Sequence, residues 1–167
     1  MRRYGISFPL ERFYSLGGVP SDKIIRLLAE EQKITVDSGL AAAEKENLFL
    51  EMIHLLVPIG PVMDVVHEAR GVVPIAVASG GFRSIIVQQL RQLGCEDWFN
   101  AIVTAEDTPR HKPHPDVFLE AAKRLGVDPT RCLVYEDADL GIQAADAAGM
   151  ASIDVRTFHT PRIIPVD

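Results

Sequence analysis

The chain has 167 residues, 47% of them hydrophobic and 24% charged, which suits one ordinary soluble domain or a core carrying a small accessory domain. A formal net charge of −6 without a basic run argues against nucleic-acid binding, so an anionic substrate would have to be met by local cations or a metal. Two cysteines, Cys95 and Cys132, are too few for a disulfide framework or zinc site, no apolar run approaches the ~20 residues of a membrane helix, and MRRYGISFPLERF has no signal-type apolar segment, so a reduced cytoplasmic setting without a membrane is expected.

Residues 1–60 read as helical throughout. Pro9 to Tyr14 suits a short helix ending at Gly17-Gly18. Ser21 is placed to cap a helix over Lys23–Gln32 with Ile24, Leu27 and Leu28 on its apolar face. Asp37 or Ser38 opens a longer helix to Leu56, with Leu40, Leu48, Met52, Leu55 and Leu56 apolar. Val57-Pro58-Ile59-Gly60-Pro61 reads as a hinge, and Pro61 then starts a helix over Val62–Arg70. Beyond it the pattern alternates. Strands are expected at Val73–Ala78, Ala101–Thr104, Cys132–Tyr135 and Ala151–Val155, and helices at Phe82–Leu93, Pro115–Leu125 and residues 140–148. Residues 105–114 form a polar loop, and RTFHTPRIIPVD an irregular tail. Such alternation implies parallel βαβ units with right-handed crossovers.

Three polar points recur where strands end. Ser79 follows a β run and precedes Gly80-Gly81 and a helix, where a hydroxyl and free N–H groups suit a phosphate, although a Ser-Gly turn capping the helix uses the same residues. Lys112 lies in RHKPHPDVF between loop residues and Pro113, well placed to neutralise phosphoryl charge, although taken alone it reads first as a solvated loop lysine. Its neighbours His111 and His114 read as solvent-facing. Glu136 and Asp137 close the strand of LVYEDADLGIQAADAAG. Paired carboxylates at such a tip suit Mg²⁺, and acids there also suit the start of the next helix.

The order hydroxyl, lysine, acid pair is far more specific than any one of them, and it resembles the haloacid dehalogenase-like (HAD) hydrolases, in the branch of β-phosphoglucomutase and sugar-phosphate phosphatases. AVASGG is similar to the second family motif, KPHPDVF to the third and YEDADLGIQAADAAGM to the fourth. The resemblance implies an α/β fold, a HAD-like Rossmannoid parallel sheet with helices on both faces, plus a small all-helical cap. It places the cap in residues 1–60 and the core in residues 61–167. It implies that Ser79 and Lys112 are catalytic, that Ser79, Gly80 and Lys112 bind phosphate, and that Glu136 and Asp137 hold Mg²⁺. GGVPSDKII is similar to the cap loop that helps choose the substrate, so Gly18, Lys23 and Lys45 are specificity candidates, with His54 a further exposed cap residue.

The first family motif, of DxDGT type, is not found. It supplies the nucleophilic aspartate and a general acid/base, yet no acid precedes Glu11, and Asp22 and Asp37 sit in cap helices or their caps. Its strand should lie between those ending at Ser79 and Tyr135, and without it those two would stand roughly 10 Å apart. A missing N-terminus is the preferred explanation, with a strand from another chain or a closed-up sheet as the alternatives. An unfilled sheet also favours pairing with a second copy. The expected activity of the intact protein is Mg²⁺-dependent hydrolysis of a small phosphorylated metabolite, a sugar phosphate, through an aspartyl-phosphate whose aspartate is missing from this chain, so the chain alone is expected to be inactive. A β-phosphoglucomutase-type transfer and a non-catalytic Mg²⁺- or phosphate-binding remnant stand beside it.

Overall fold

The N-terminal third is held by one small core between α1 (Leu10–Ser15), α2 (Ser21–Gln32) and α3 (Ser38–Glu51) in a computed structural model that describes residues 1–160. Ile25, Leu28 and Ala29 of α2 are buried against Ala41 and Ala42 of α3. Their spacing is one helical stripe, and full burial of a side chain such as Ile25 or Leu28 contributes about 1.5–3 kcal/mol. This corrects the expected face: Leu27 is 36% exposed, and Ile24 is only half-buried at the core's edge. Pro20, not Ser21, occupies the N-cap of α2, and the Ser21 hydroxyl donates instead to Glu46. Asp37 caps α3 by accepting from the N–H groups of Gly39 and Leu40.

α3 stops at Glu51, short of Leu56, and the chain tightens into a 3-10 turn over Ile53–Leu55. Pro58 disfavours helical backbone just before it, so the next helix cannot be reached without a break. That helix, α4 (Gly60–Ala69), carries Pro61 in its first turn.

Four short strands follow. β1 (Ala76–Ala78) pairs in parallel with β2 (Ala101–Val103), and β3 (Leu133–Glu136) pairs in parallel with β4 (Ala151–Asp154). β1 starts later than expected because Pro74 has no N–H to give. Val72 and Val73 are exposed, and the Ile75 N–H is taken by the Asn100 side chain. No ladder joins β1 to β3 among the described residues, so the sheet is split where the central strand was expected to be absent.

Helices bridge the split. α5 (Arg83–Gln92) and Met63 of α4 cover one face, where Ile86 and Leu90 meet Val77 and Ile102. α6 (Asp116–Leu125) and α7 (Asp139–Ala147) cover the other, and Val117 and Phe118 belong to one core with Val103, Val134, Ala76 and Ala78. Strand alternation makes this two-sided packing possible, since Val77 points opposite to Ala76 and Ala78. The fold is α/β, with parallel strands and helices on both faces. After β4 the chain makes a 3-10 turn over Val155–Thr157, and the rest of the expected tail, from residue 161, lies outside the described residues.

Candidate active site

Each polar point sits at the C-terminal tip of a strand or in the loop beside it. Ser79 directly follows β1, and its N–H donates to Val103 at 2.9 Å, extending the ladder by one bond. Its Oγ accepts from the Gly81 N–H at 3.1 Å, which folds the chain into a tight turn. The Gly80 N–H finds no acceptor among the described residues. Ser79 does not cap α5. That helix is capped by Glu106, whose two carboxylate oxygens accept from the Arg83 N–H at 2.9 and 3.1 Å. A free hydroxyl and a free N–H in one turn can hold an anion.

Lys112 is not a solvated loop residue. It is 6% exposed, and its Nζ donates to Glu136 Oε2 at 2.6 Å and, more weakly, to the Ala78 carbonyl at 3.4 Å. The ammonium also lies 4.7 Å from the centre of the Phe118 ring. One ammonium therefore spans the split, touching the end of β1 and the end of β3. It has three donors, so a third N–H remains uncommitted. Glu136 Oε1 accepts from the N–H groups of Asp137 and Ala138, both at 3.2 Å. α7 leaves room for this side chain only because residue 141 is glycine. A Cβ there would stand 2.0 Å from Glu136 Cδ.

Asp137 is the freer acid. The N-cap of α7 is Ala138, without a side-chain cap, so neither acid is spent on starting the helix. The Asp137 side chain reaches the cleft opening. Surrounding protein and the charge of Glu136 beside it push its carboxyl up from the ordinary value. Two adjacent carboxylates facing one lysine form an all-oxygen donor set that a hard divalent cation such as Mg²⁺ fits. Among the described residues no cluster of three or more His, Cys, Asp or Glu offers a fuller cage, so phosphate or water would complete the shell.

All of these residues line one cleft of about 440 Å³ between the strand tips and the α1–α3 segment. Ser79, Gly80, Lys112, Glu136, Asp137, Gly18 and Lys45 are brought together there, whereas Lys23 and His54 do not line it. The Gly17-Gly18 loop forms part of the wall. A Cβ on Gly80 would stand 2.0 Å from the Gly18 carbonyl oxygen, so the two backbones touch directly. Ser21, Glu46 and Gln89 also line the cleft and were missed from sequence. A larger groove of about 620 Å³ between α1 and α2 gathers none of the site residues, and its Arg12 pairs with its Glu31.

The split parallel sheet and its strand-tip site define a family. Residues 5–149 match the family described as haloacid dehalogenase-like hydrolase, and the chain belongs to it, in the β-phosphoglucomutase and sugar-phosphate phosphatase branch. Fructose-1-phosphate phosphatase YqaB of Escherichia coli is 40% identical over 153 residues, covering 92% of this chain and 81% of that protein. Hexitol phosphatase B of the same species is 33% identical over 131 residues, covering 73% and 59%. Among solved structures, the β-phosphoglucomutase of Clostridium difficile superposes with a TM-score of 0.80 at 26% identity, covering 92% of this chain and 72% of that one. No helix among the described residues is long and apolar enough to cross a membrane.

Proposed function

We propose that the cleft binds the phosphoryl group of a small sugar or polyol phosphate and is the site of its Mg²⁺-dependent hydrolysis. The observation that carries the reading is Lys112, buried, ion-paired to Glu136 and gathered into one cleft with Ser79 and Asp137. The similarity to fructose-1-phosphate and hexitol phosphatases supports the substrate class. In this reading residues 1–60 act as a cap over a core that begins at residue 61, and Val57–Pro61 is the hinge between them.

The Ser79 hydroxyl and the Gly80 N–H donate to phosphoryl oxygens, and Lys112 donates its third N–H to another. Such chemistry depends mostly on positioning and charge neutralisation. Glu136 keeps the Lys112 ammonium at the strand tips. Asp137, with Glu136, supplies the carboxylates for Mg²⁺, which when bound screens repulsion between the phosphoryl group and an anionic nucleophile. The nucleophile in this reading is a further aspartate, supplied by none of the described residues and placed in space between Ser79 and Asp137, which forms an aspartyl-phosphate that water then hydrolyses. Closure of the Gly17-Gly18 loop over Gly80 and Lys112 excludes bulk water.

The test is phosphate release from a panel of sugar and polyol phosphates with Mg²⁺, for a longer form that carries a DxDGT-type segment and for its Asp137→Ala variant. Release that Asp137→Ala abolishes supports the reading, and undiminished release removes Asp137 from the metal role. The acids lining the cleft are Glu46, Glu136 and Asp137, with no separate nucleophilic aspartate among the described residues. That favours a second reading, a non-catalytic phosphate and Mg²⁺ binder, which predicts phosphate binding without release from any substrate.

A further inference from the structure

The wall that α2 and α3 give the cleft carries its own polar cluster. Lys45 Nζ donates to Glu46 Oε1 at 3.0 Å and to Ser21 Oγ at 3.1 Å, and the Ser21 hydroxyl donates to the same Glu46 oxygen at 2.6 Å. The Glu46 side chain is only 13% exposed, against 48% for Lys45. Glu46 Oε2 has no hydrogen-bond partner among the described residues, and one Lys45 N–H is also unused. Around this cluster the lining is apolar, from Phe13, Leu16, Ile24 and Phe49.

We infer that this wall is built for an uncharged, hydroxyl-bearing tail, so that the substrate is a sugar or polyol monophosphate and not a bisphosphate. The inference rests on the phosphate reading above. Among the described residues the cations lining the cleft are Lys45 and Lys112; Lys112 serves the phosphate in that reading, and Lys45 is paired with Glu46. The distal wall is therefore neutral overall, and its best free group is an acceptor. Glu46 Oε2 can take a hydroxyl proton in a hydrogen bond, and Lys45 can give one to a hydroxyl oxygen. A second phosphate would instead face the Glu46 carboxylate with no spare cation beside it among the described residues. The same balance disfavours a mutase. Returning a phosphoryl group to the other end of a sugar requires holding a phosphate at both ends at once.

Titration calorimetry on the full chain with Mg²⁺ present tests this with three probes: inorganic phosphate, sorbitol 6-phosphate and fructose 1,6-bisphosphate. Two added hydrogen bonds give sorbitol 6-phosphate about tenfold tighter binding than inorganic phosphate. The bisphosphate binds no tighter than inorganic phosphate. Glu46→Gln lowers the ratio of sorbitol 6-phosphate to phosphate affinity and raises bisphosphate affinity. A bisphosphate that outbinds sorbitol 6-phosphate, or phosphate binding with no gain from the tail, overturns the inference while leaving the phosphate site standing. Failure of all three probes to bind removes both. The comparison of probes on the unaltered chain holds even if Glu46→Gln does not fold.

Discussion

At Lys112 the penalty for burying an ammonium is set against a short ion pair with Glu136, a weaker bond to Ala78 and the face of Phe118. Such a pair is close to neutral for stability as a whole, but removing one partner strands the other, at about 3–5 kcal/mol. Lys112→Ala should therefore lower the urea-unfolding free energy by about that much. Adding Glu136→Gln to it should recover most of the loss, because the stranded charge is gone. A single-variant loss below ~1 kcal/mol, the range of an exposed pair, would mean that the ammonium is solvated after all. Gly141 sets a second contest. Gly→Ala inside a helix normally gains about 1 kcal/mol, and overpacking typically costs 1–3 kcal/mol. A Cβ 2.0 Å from Glu136 Cδ meets part of a side chain pinned by Lys112 and two backbone N–H groups, so strain should win. Gly141→Ala is expected to destabilise the protein and weaken phosphate binding together, both readable by a denaturation series with and without phosphate.

At the scale of elements, the turn after β1 is steadied from the loop after β2. Ala105 donates to the Gly81 carbonyl, Glu106 caps α5 at Arg83, and Asp107 closes a capping box with Thr104 while pairing with Arg83 and Arg124. Burial alone would raise the Asp107 carboxyl, but Arg124, the Thr104 N–H and hydroxyl, and the Arg83 charge hold it far below the ordinary carboxylate range. A carboxyl depressed on folding contributes stability above its unfolded value, near 3.9, and loses that contribution as pH falls through and below it. Asp107→Asn should cost about 2 kcal/mol at neutral pH, the scale of hydrogen bonds to a charged group. It should also flatten the acid limb of the stability–pH curve below about pH 5, measured by urea unfolding. The Arg83 arm of this network was not legible beforehand, because Arg83 and Asp107 are 24 residues apart. What was legible was local. Strand–helix alternation, Pro61 at a helix start, and the three polar strand tips each occupy a few consecutive residues. The errors came where packing outvoted propensity. Ser21 turned to Glu46 across two helices and left its expected cap to Pro20, and the buried stripe of α2 runs through Ile25 in place of Leu27.

For the whole molecule, the split between β1 and β3 leaves two facing strand edges without a ladder among the described residues, and α6 spans them through Val117 and Phe118. A gap between these two strands was expected from the sequence, and no ladder joins them among the described residues. The Lys112 bridge across it was not expected, because side-chain reach is a matter of three dimensions. Inward edges without partners lower stability, so whatever ligates both sides should stabilise the fold visibly. Phosphate would touch Ser79 on one side and Lys112 in the middle, and a divalent cation would touch Asp137 on the other. A ligand at a hundred times its dissociation constant stabilises by about 2.7 kcal/mol if it binds only the folded state. At 2–4 °C per kcal/mol for a domain of this size, the melting transition should rise by roughly 5–10 °C with phosphate and Mg²⁺ together. Differential scanning fluorimetry against chloride of equal ionic strength reads this directly. Chelating the metal should take back the part that depends on Asp137, and Asp137→Ala should show only the remainder. A transition that moves no further with phosphate than with chloride would leave the two halves of the sheet without a shared ligand, and the cleft without its phosphate.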